Sequence, residues 1–528
     1  MTARARTAVV IGGGISGLAT AALLARDGYQ VDLVEARDVL GGRAGSWEQG
    51  GFRFDTGPSW YLMPEVFDHF FRLLGTSAAE QLDLRRLDPG YRVYFEGHQD
   101  PLDISASAAR NADAFEQIEP GAGLQLAKYL DSAARTYDVA LERFLYTSFT
   151  SLRPFLSARV ALQGPRLLQL LAEPLERFVA RRFRDPRLRQ VLGYPAVFLG
   201  SSPDQAPSMY HLMSALDLTG GVQYPMGGFA QLIEVIVDLA RREGVRLHTS
   251  TRATRILTRD TGARRPQATG VEVQDADGTA RTLHADVVVA TADLHRVETT
   301  LLPRHLQTFP EAWWRRRTPG PGTVLAMLGV EGELPQLEHH TLLFTRDWQE
   351  NFGAIFGRDT RLPDPASLYV CRPSATDATV APEGAENLFV LVPIPADPSL
   401  GCGGIDGAGD PRVEAAADRV IAQISAWAGI PDLAERIRVR RTVMPADFER
   451  DLGVWRGSSL GLAHTLGQSA VFRPKNVSKK VDGLYYTGNS VLPGIGLPMC
   501  LISAELVVKR LRGDRTPGRL PAASEVAR

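Results

Sequence analysis

Residues 7–43 constrain this chain more than any other stretch: TAVVIGGGISGLATAALLARDGYQVDLVEARDVLGGR joins a strand, a glycine turn, a helix, a second strand and a terminal acid. The strand Ala8 to Ile11 runs into Gly12, Gly14 and Gly17. The first glycine permits a tight turn, the second lets backbone N–H groups approach a pyrophosphate, and the third lets the next helix pack against the sheet. A helix from Gly14 to Asp27 aims its N-terminal dipole at the phosphates, and Glu35 ends the next strand about 20 residues on, where a carboxylate accepts both ribose hydroxyls. That acid disfavours a 2′-phosphate. The spacing predicts an α/β, Rossmann-like unit for the ADP half of a dinucleotide, with an ordinary glycine turn as the alternative.

The 528 residues suffice for two or three packed regions. Hydrophobic and charged contents of 44% and 23% are those of a soluble globular chain, and a net charge of −1 gives no global field to attract nucleic acid. Cys371, Cys402 and Cys500 lack metal-ligand spacing and are too few to staple the chain, which predicts free thiols and a cytoplasmic setting. The start, MTARARTAVV, carries no apolar leader core, and no apolar run approaches the roughly 18 to 20 residues that span a bilayer. A membrane relation is therefore expected to be peripheral, on the inner face of the cell membrane. The histidines, including the adjacent His339 and His340, read as surface or core residues, so no metal is expected.

The pattern divides into nucleotide-binding segments at 1–95, 219–302 and 446–512, a largely helical region at 96–218, a mixed-sheet substrate segment at 303–445 and a disordered tail at 513–528. YRVYFEGHQDPLDI reads as a hairpin around Gly97, and SLGCGGIDGAGD as a flexible loop. Near the C-terminus a strand Leu484 to Thr487, a glycine and proline turn, and a helix Pro498 to Arg510 place a helix N-terminus where it stabilises negative charge.

Gly41, Gly42 and Arg43 follow Glu35 closely, and this run resembles the FAD-binding glutathione reductase superfamily, in its amine oxidase and carotenoid desaturase branch. FDTGPSWY (Phe54 to Tyr61), VQYPMGGFAQL (Val222 to Leu232), Leu368 to Pro395, Met444 to Gly461 and GLYYTGNSVLPGIGLPMCLISAE (Gly483 to Glu505) together resemble bacterial phytoene desaturases over nearly the whole chain. The resemblance implies a Rossmann-like FAD domain, a discontinuous substrate domain with a mixed sheet, and a helical membrane-associating region. It assigns to the cofactor Gly12, Gly14, Ser16, Gly17, Glu35, Ala36, Gly42, Arg43, Gly57, Pro58, Ser59, Ala253, Gly488, Asn489, Gly496, Leu497 and Pro498, with Arg43 reaching back to the phosphates. Leu492 departs from the family, where many relatives carry histidine.

The implied reaction removes a hydride and a proton from phytoene to form a more conjugated carotene such as lycopene, with quinone or oxygen as final electron acceptor. Such a hydrocarbon is recognised by shape and burial, predicting a tunnel lined by residues like Phe149, Phe155, Leu167, Leu171 and Phe178, with an ordinary helical core as the equal alternative. No catalytic residue is assigned. Alternatives are a carotenoid oxidoreductase or isomerase acting on a C30 or hydroxylated carotenoid, and a non-catalytic isoprenoid-binding protein of the same fold. Between Thr150 and Gln190 nine arginines (153, 159, 166, 177, 181, 182, 184, 187, 189) face three acids, which predicts a basic amphipathic patch on anionic lipid, with a merely solvated basic helical face as the alternative, and Trp313 and Trp314 followed by three arginines form a second candidate anchor.

Overall fold

The strand Thr7–Ile11 is the centre of a parallel sheet ordered Leu484–Tyr486, Val287–Ala290, Thr7–Ile11, Gln30–Val34, Arg246–His248. The computed structural model describes residues 5–149, 164, 166 and 169–522. The Val- and Ile-rich central strands are buried on both faces, as a parallel sheet requires. Ala8 and Val10 point to one side, with Val287 and Val289, into a core closed by the helices Ile15–Arg26, Gly228–Arg242 and Leu497–Arg512. Val9, Ile11 and Val288 point to the other, against the antiparallel sheet Thr251–Arg259, Gln267–Asp275, Ala280–His284. This alternation is the period of two of an extended chain. Ala19, Ala21 and Ala22 leave the first helix slim enough for both neighbours to approach.

A second, mixed sheet has seven strands ordered Ile437–Val443, Gly322–Glu331, Ala385–Ile394, Leu368–Cys371, His340–Phe344, Tyr91–Phe95, Leu102–Ile104. Only His340–Phe344 and Tyr91–Phe95 run parallel; every other pair is antiparallel. Helices Ala108–Ile118, Ala122–Ala140, Leu175–Ala180 and Pro186–Gly193 pack over one face, and Pro411–Ala428 over the other.

Several expectations are overturned. The tail is not loose over residues 513–522: Leu520 and Ala522 are buried, Leu520 donates its N–H to Glu505 Oε1 at 2.6 Å, and Lys509 donates to the Thr516 carbonyl at 2.8 Å. The glycine loop at 399–410 is tied down: Gly403 N–H donates to Asp447 at 2.7 Å, Gly404 N–H to Thr442 Oγ1 at 2.9 Å, and Asp406 N–H to the Arg440 carbonyl at 2.8 Å. Its glycines allow that close approach, since a β-carbon on Gly403 would lie 2.0 Å from the Thr442 carbonyl oxygen.

In the two expected lipid contacts, several of the named side chains are engaged within the fold. Trp314 is 1% exposed, donates its indole N–H to the Phe309 carbonyl at 2.9 Å and packs on Trp455 and His295, while Trp313 sits between Phe309 and Arg317. Of the basic stretch, Arg153 and Arg159 lie outside the described residues. Arg181 pairs with Glu173 and Arg187 with Asp185, Arg166 donates to Ser132, and Arg182 and Arg189 donate to the carbonyls of Phe178 and Phe183. Five of the seven described arginines thus make contacts within the chain, while Arg177 and Arg184 stand exposed.

Candidate active site

Two of the motifs singled out in the sequence meet at Asp55. Its carboxylate accepts the N–H groups of Phe229 at 2.8 Å and Ala230 at 3.0 Å, capping the helix Gly228–Arg242. Gly228, at φ +80°, is glycine because a β-carbon there would lie 2.6 Å from Asp55 Oδ2. Burial holds the Asp55 carboxyl up at about 6. This clamp fixes Gly57, Pro58 and Ser59 beside the nucleotide turn.

At that turn Gly12 has φ +109°, and a β-carbon would meet Thr291 Oγ1 at 2.8 Å. A β-carbon on Gly17 would lie 1.9 Å from the Gly12 carbonyl oxygen, so this glycine lets the helix close on the turn itself. Gly14 has no heavy atom within 3.8 Å of that position, which leaves room before the helix N-terminus for a ligand. Glu35 is held by two backbone donors, Gly13 N–H to Oε2 at 2.7 Å and Arg37 N–H to Oε1 at 2.9 Å.

One cavity of about 620 Å³ begins here and continues between the two sheets. Every residue expected at the cofactor lines it except Gly17, whose part is packing. Arg43 is half-buried with its Nε and Nη2 atoms buried, and these, like the buried Ser16 Oγ, have no partner among the described residues. Unpaired buried donors beside a helix N-terminus are costly unless an anionic ligand accepts from them. Cys500 also lines the cavity, and burial pushes its thiol up to about 12.

Beyond the turn the wall becomes apolar: Phe144, Leu145, Phe149, Phe198, Phe344 and Phe352 line it. Of the expected tunnel residues Phe149 is there, whereas Phe178 packs in the helical core against Tyr129 and His211, and Leu171 does not reach the cavity. Phe155 and Leu167 lie outside the described residues.

Sequence reasoning assigned Ser59, which lines this wall, to the cofactor but missed the Tyr369 hydroxyl beside it and the histidines packed behind it. Ser59 Oγ and His340 Nδ1 each lie 2.7 Å from the Tyr369 hydroxyl, and the Trp60 ring stacks on His340 at 4.6 Å. His339, His340 and Cys371 bring their possible ligand atoms within 4.8 Å of one another because His340 pairs opposite Cys371 across two strands. Burial holds the thiol up at about 12 and both imidazoles well below their usual range; the Nδ1 atoms of His339 and His340 bond to Thr376 and Tyr369, while both Nε2 atoms are buried with no partner among the described residues. His464 accepts the Ile495 N–H at Nε2 (3.3 Å) and therefore donates from Nδ1 to the Tyr210 hydroxyl (2.7 Å). Only Gly13, inside the glycine run, carried a signal that a reader of the sequence had in hand.

A parallel sheet with a glycine turn, an acid at the second strand, an arginine with unpaired buried donors and a C-terminal helix aimed into the same cavity define a dinucleotide-binding flavoprotein fold. Residues 15–512 match the family of flavin-containing amine oxidoreductases, and the chain belongs to it. It is similar to a carotenoid 3,4-desaturase of Haloarcula japonica, 40% identical over 96% of this chain and 98% of the relative. It is also similar to a zeta-carotene-forming phytoene desaturase of Myxococcus xanthus, 36% identical over 96% and 94%. Among solved structures, an oxidoreductase of Methanosarcina mazei shares the fold with a TM-score of 0.61 at 16% identity, covering 95% of this chain and 100% of that one. The protein is an FAD-dependent oxidoreductase. The unpaired donors of Arg43 and Ser16 and the open approach to Gly14 fit that cofactor. No helix among the described residues is long and apolar enough to cross a membrane.

Proposed function

We propose that this chain is a carotenoid desaturase, removing a hydride and a proton from phytoene to yield a more conjugated carotene such as lycopene. The observation that carries it is a single cavity whose one end is a nucleotide cradle and whose other end is walled by aromatic and aliphatic side chains. A long hydrocarbon is held by burial alone, at roughly 25 cal/mol per Å² of apolar area. Bound FAD supplies the two-electron acceptor for the hydride. In this reading Glu35 takes the ribose hydroxyls, Arg43 and the Ser16 hydroxyl take the pyrophosphate, and the N-terminus of Leu497–Arg512 faces the ring end. Gly57, Pro58, Ser59 and Ala253, which line the same cavity, would complete the hold on the bound cofactor. The phenylalanines exclude water and hold the allylic carbon in place. No second dinucleotide motif is present in the sequence, which favours a quinone or oxygen as final acceptor. Expression in a bacterium that accumulates phytoene, followed by pigment chromatography, tests the reading: conjugated carotenes support it, and unchanged phytoene beside a flavin-loaded protein overturns it.

A second reading, a desaturase of an already hydroxylated carotenoid, has its own observation. The donors Trp348 Nε1 and Asn351 Nδ2 are buried without partners among the described residues, on two residues that line the cavity. The Ser367 N–H, 2.9 Å from Asn351 Oδ1, fixes which way that amide points. A hydrocarbon offers such donors nothing; a hydroxyl does. Turnover of a hydroxylated carotene with phytoene untouched selects this reading over the first.

A further inference from the structure

Among the described residues, the large hydrophobic side chains that stand well into solvent are Val39, Leu124, Ile405, Leu466, Val471 and Phe472. The last three fall within seven residues, at 48%, 46% and 64% exposure. Singly exposed apolar residues need no explanation; three on one short loop do.

The loop is held outward from within. Gln468, 5% exposed, donates to the carbonyls of Thr318 at 2.9 Å and Ala463 at 3.1 Å and accepts the Thr318 N–H at 2.8 Å. Arg473, 2% exposed, donates to the Gln468 carbonyl at 3.1 Å. Ala470 is held at φ +48°, a left-handed conformation unfavourable for a residue with a β-carbon. The buried base is thus fixed while the apolar tips face out.

The same loop belongs to the cavity. Ala470 lines it, as do Phe144, Leu145 and Phe149 from the opposite chain segment, and Lys475 Nζ bridges the two by donating to the Phe149 carbonyl at 3.4 Å. Cations gather beside it: Lys479 is exposed, and the charge of Lys475 is disfavoured first by burial and then by Arg510 and Lys479 nearby. Exposed apolar tips near Lys475 and Lys479, on a loop whose Ala470 lines an apolar cavity, match a bilayer interface, with hydrocarbon inside and anionic headgroups at the rim.

We propose that residues 466–472 are a lipid-docking surface, with Leu466, Val471 and Phe472 entering the bilayer interface and Lys475 and Lys479 on the headgroups, so that the cavity opens toward lipid. This rests on the reading of the substrate as a carotenoid, which dissolves in the bilayer and not in water. The proposal moves the contact away from the arginines of residues 177–189 and from Trp313 and Trp314.

The test is flotation of the full-length, flavin-loaded protein with vesicles of phosphatidylcholine and phosphatidylglycerol. The combined variant Leu466→Ser, Val471→Ser, Phe472→Ser is expected to lose at least tenfold in bound fraction with flavin absorbance unchanged. Reversing Arg177 and Arg184 to Glu is expected to leave binding within twofold. Equal flotation of wild type and the triple variant overturns the proposal, as does a wild type that ignores vesicles. A wild type that sediments as a dimer without lipid, beside a monomeric variant, also overturns it and assigns the loop to a second copy. Because the triple variant risks misfolding, Phe472→Cys in a Cys402→Ser background, carrying a polarity-sensitive fluorophore, gives a second readout. A blue shift on adding vesicles supports insertion, and an unshifted spectrum with the protein bound overturns it. Failure of wild type to desaturate carotene in detergent and in vesicles alike would defeat the desaturase reading, while flotation still decides the docking surface.

Discussion

Arg473 donates to the backbone carbonyl of Asn489, in the turn that lines the nucleotide cavity, and among the described residues it has no carboxylate partner. Its other donors go to the carbonyls of Val491 at 3.2 Å, Leu462 at 3.1 Å and Gln468 at 3.1 Å. Burial holds the guanidinium down at about 10, so this is an uncompensated cation beside the nucleotide cavity. Such a charge is costly until negative charge appears nearby.

Arg473→Met is therefore expected to loosen the turn and to favour the oxidised cofactor. Flavin affinity should fall about tenfold or more, one to two lost charge-assisted hydrogen bonds, and the midpoint potential should become more negative. Arg473→Lys should restore the potential better than the affinity. Spectroelectrochemistry and fluorescence titration separate the two effects, and an unchanged potential in the methionine variant would remove the charge from any electronic part.

Glu35→Arg should purify without flavin. The substitution removes the acceptor of the Gly13 N–H at 2.7 Å as well as that of the ribose, and it puts a cation where two backbone donors converge. Absorbance near the flavin bands against protein absorbance measures occupancy. Wild-type occupancy in a folded variant would take Glu35 out of the site.

Cys500→Ser should retain flavin and turnover within about threefold. A thiol pushed up to about 12 by burial is not a thiolate at neutral pH, and no other cysteine is near it in sequence. Loss of turnover with flavin still bound would show that the thiol takes part in the chemistry.

Acid should destabilise the fold through His211. The imidazole is buried between the Ser208 carbonyl and Ser132 Oγ, each at 2.8 Å, and burial pushes its pKa down to about 4. A depressed folded value means the stabilisation is present above the unfolded pKa of about 6.5 and is lost as pH falls from there through about 4, a difference of roughly 3 kcal/mol. Thermal melts from pH 8 to pH 4 should show this fall in wild type and a flatter profile in His211→Asn. Parallel profiles would assign the acid sensitivity to other groups.

The sequence by itself determined the elements whose meaning is local. The spacing of Gly12, Gly14, Gly17 and Glu35 defines a turn, a helix and a strand end within one short stretch, and the structure has all of them, as it has the hairpin around Gly97 and the C-terminal strand and helix. Tertiary structure decided what depends on partners far along the chain. Arginines 166, 181, 182, 187 and 189 read as a free basic face because sequence does not show that carbonyls and acids come to meet them. Trp314 reads as an anchor until His295 and Trp455 close over it. Conversely, Leu466, Val471 and Phe472 look like core residues in a list, and only the pinning of Gln468 and Arg473 beneath them leaves them in solvent. Backbone geometry is encoded between neighbours, whereas the burial of a side chain depends on everything that packs around it.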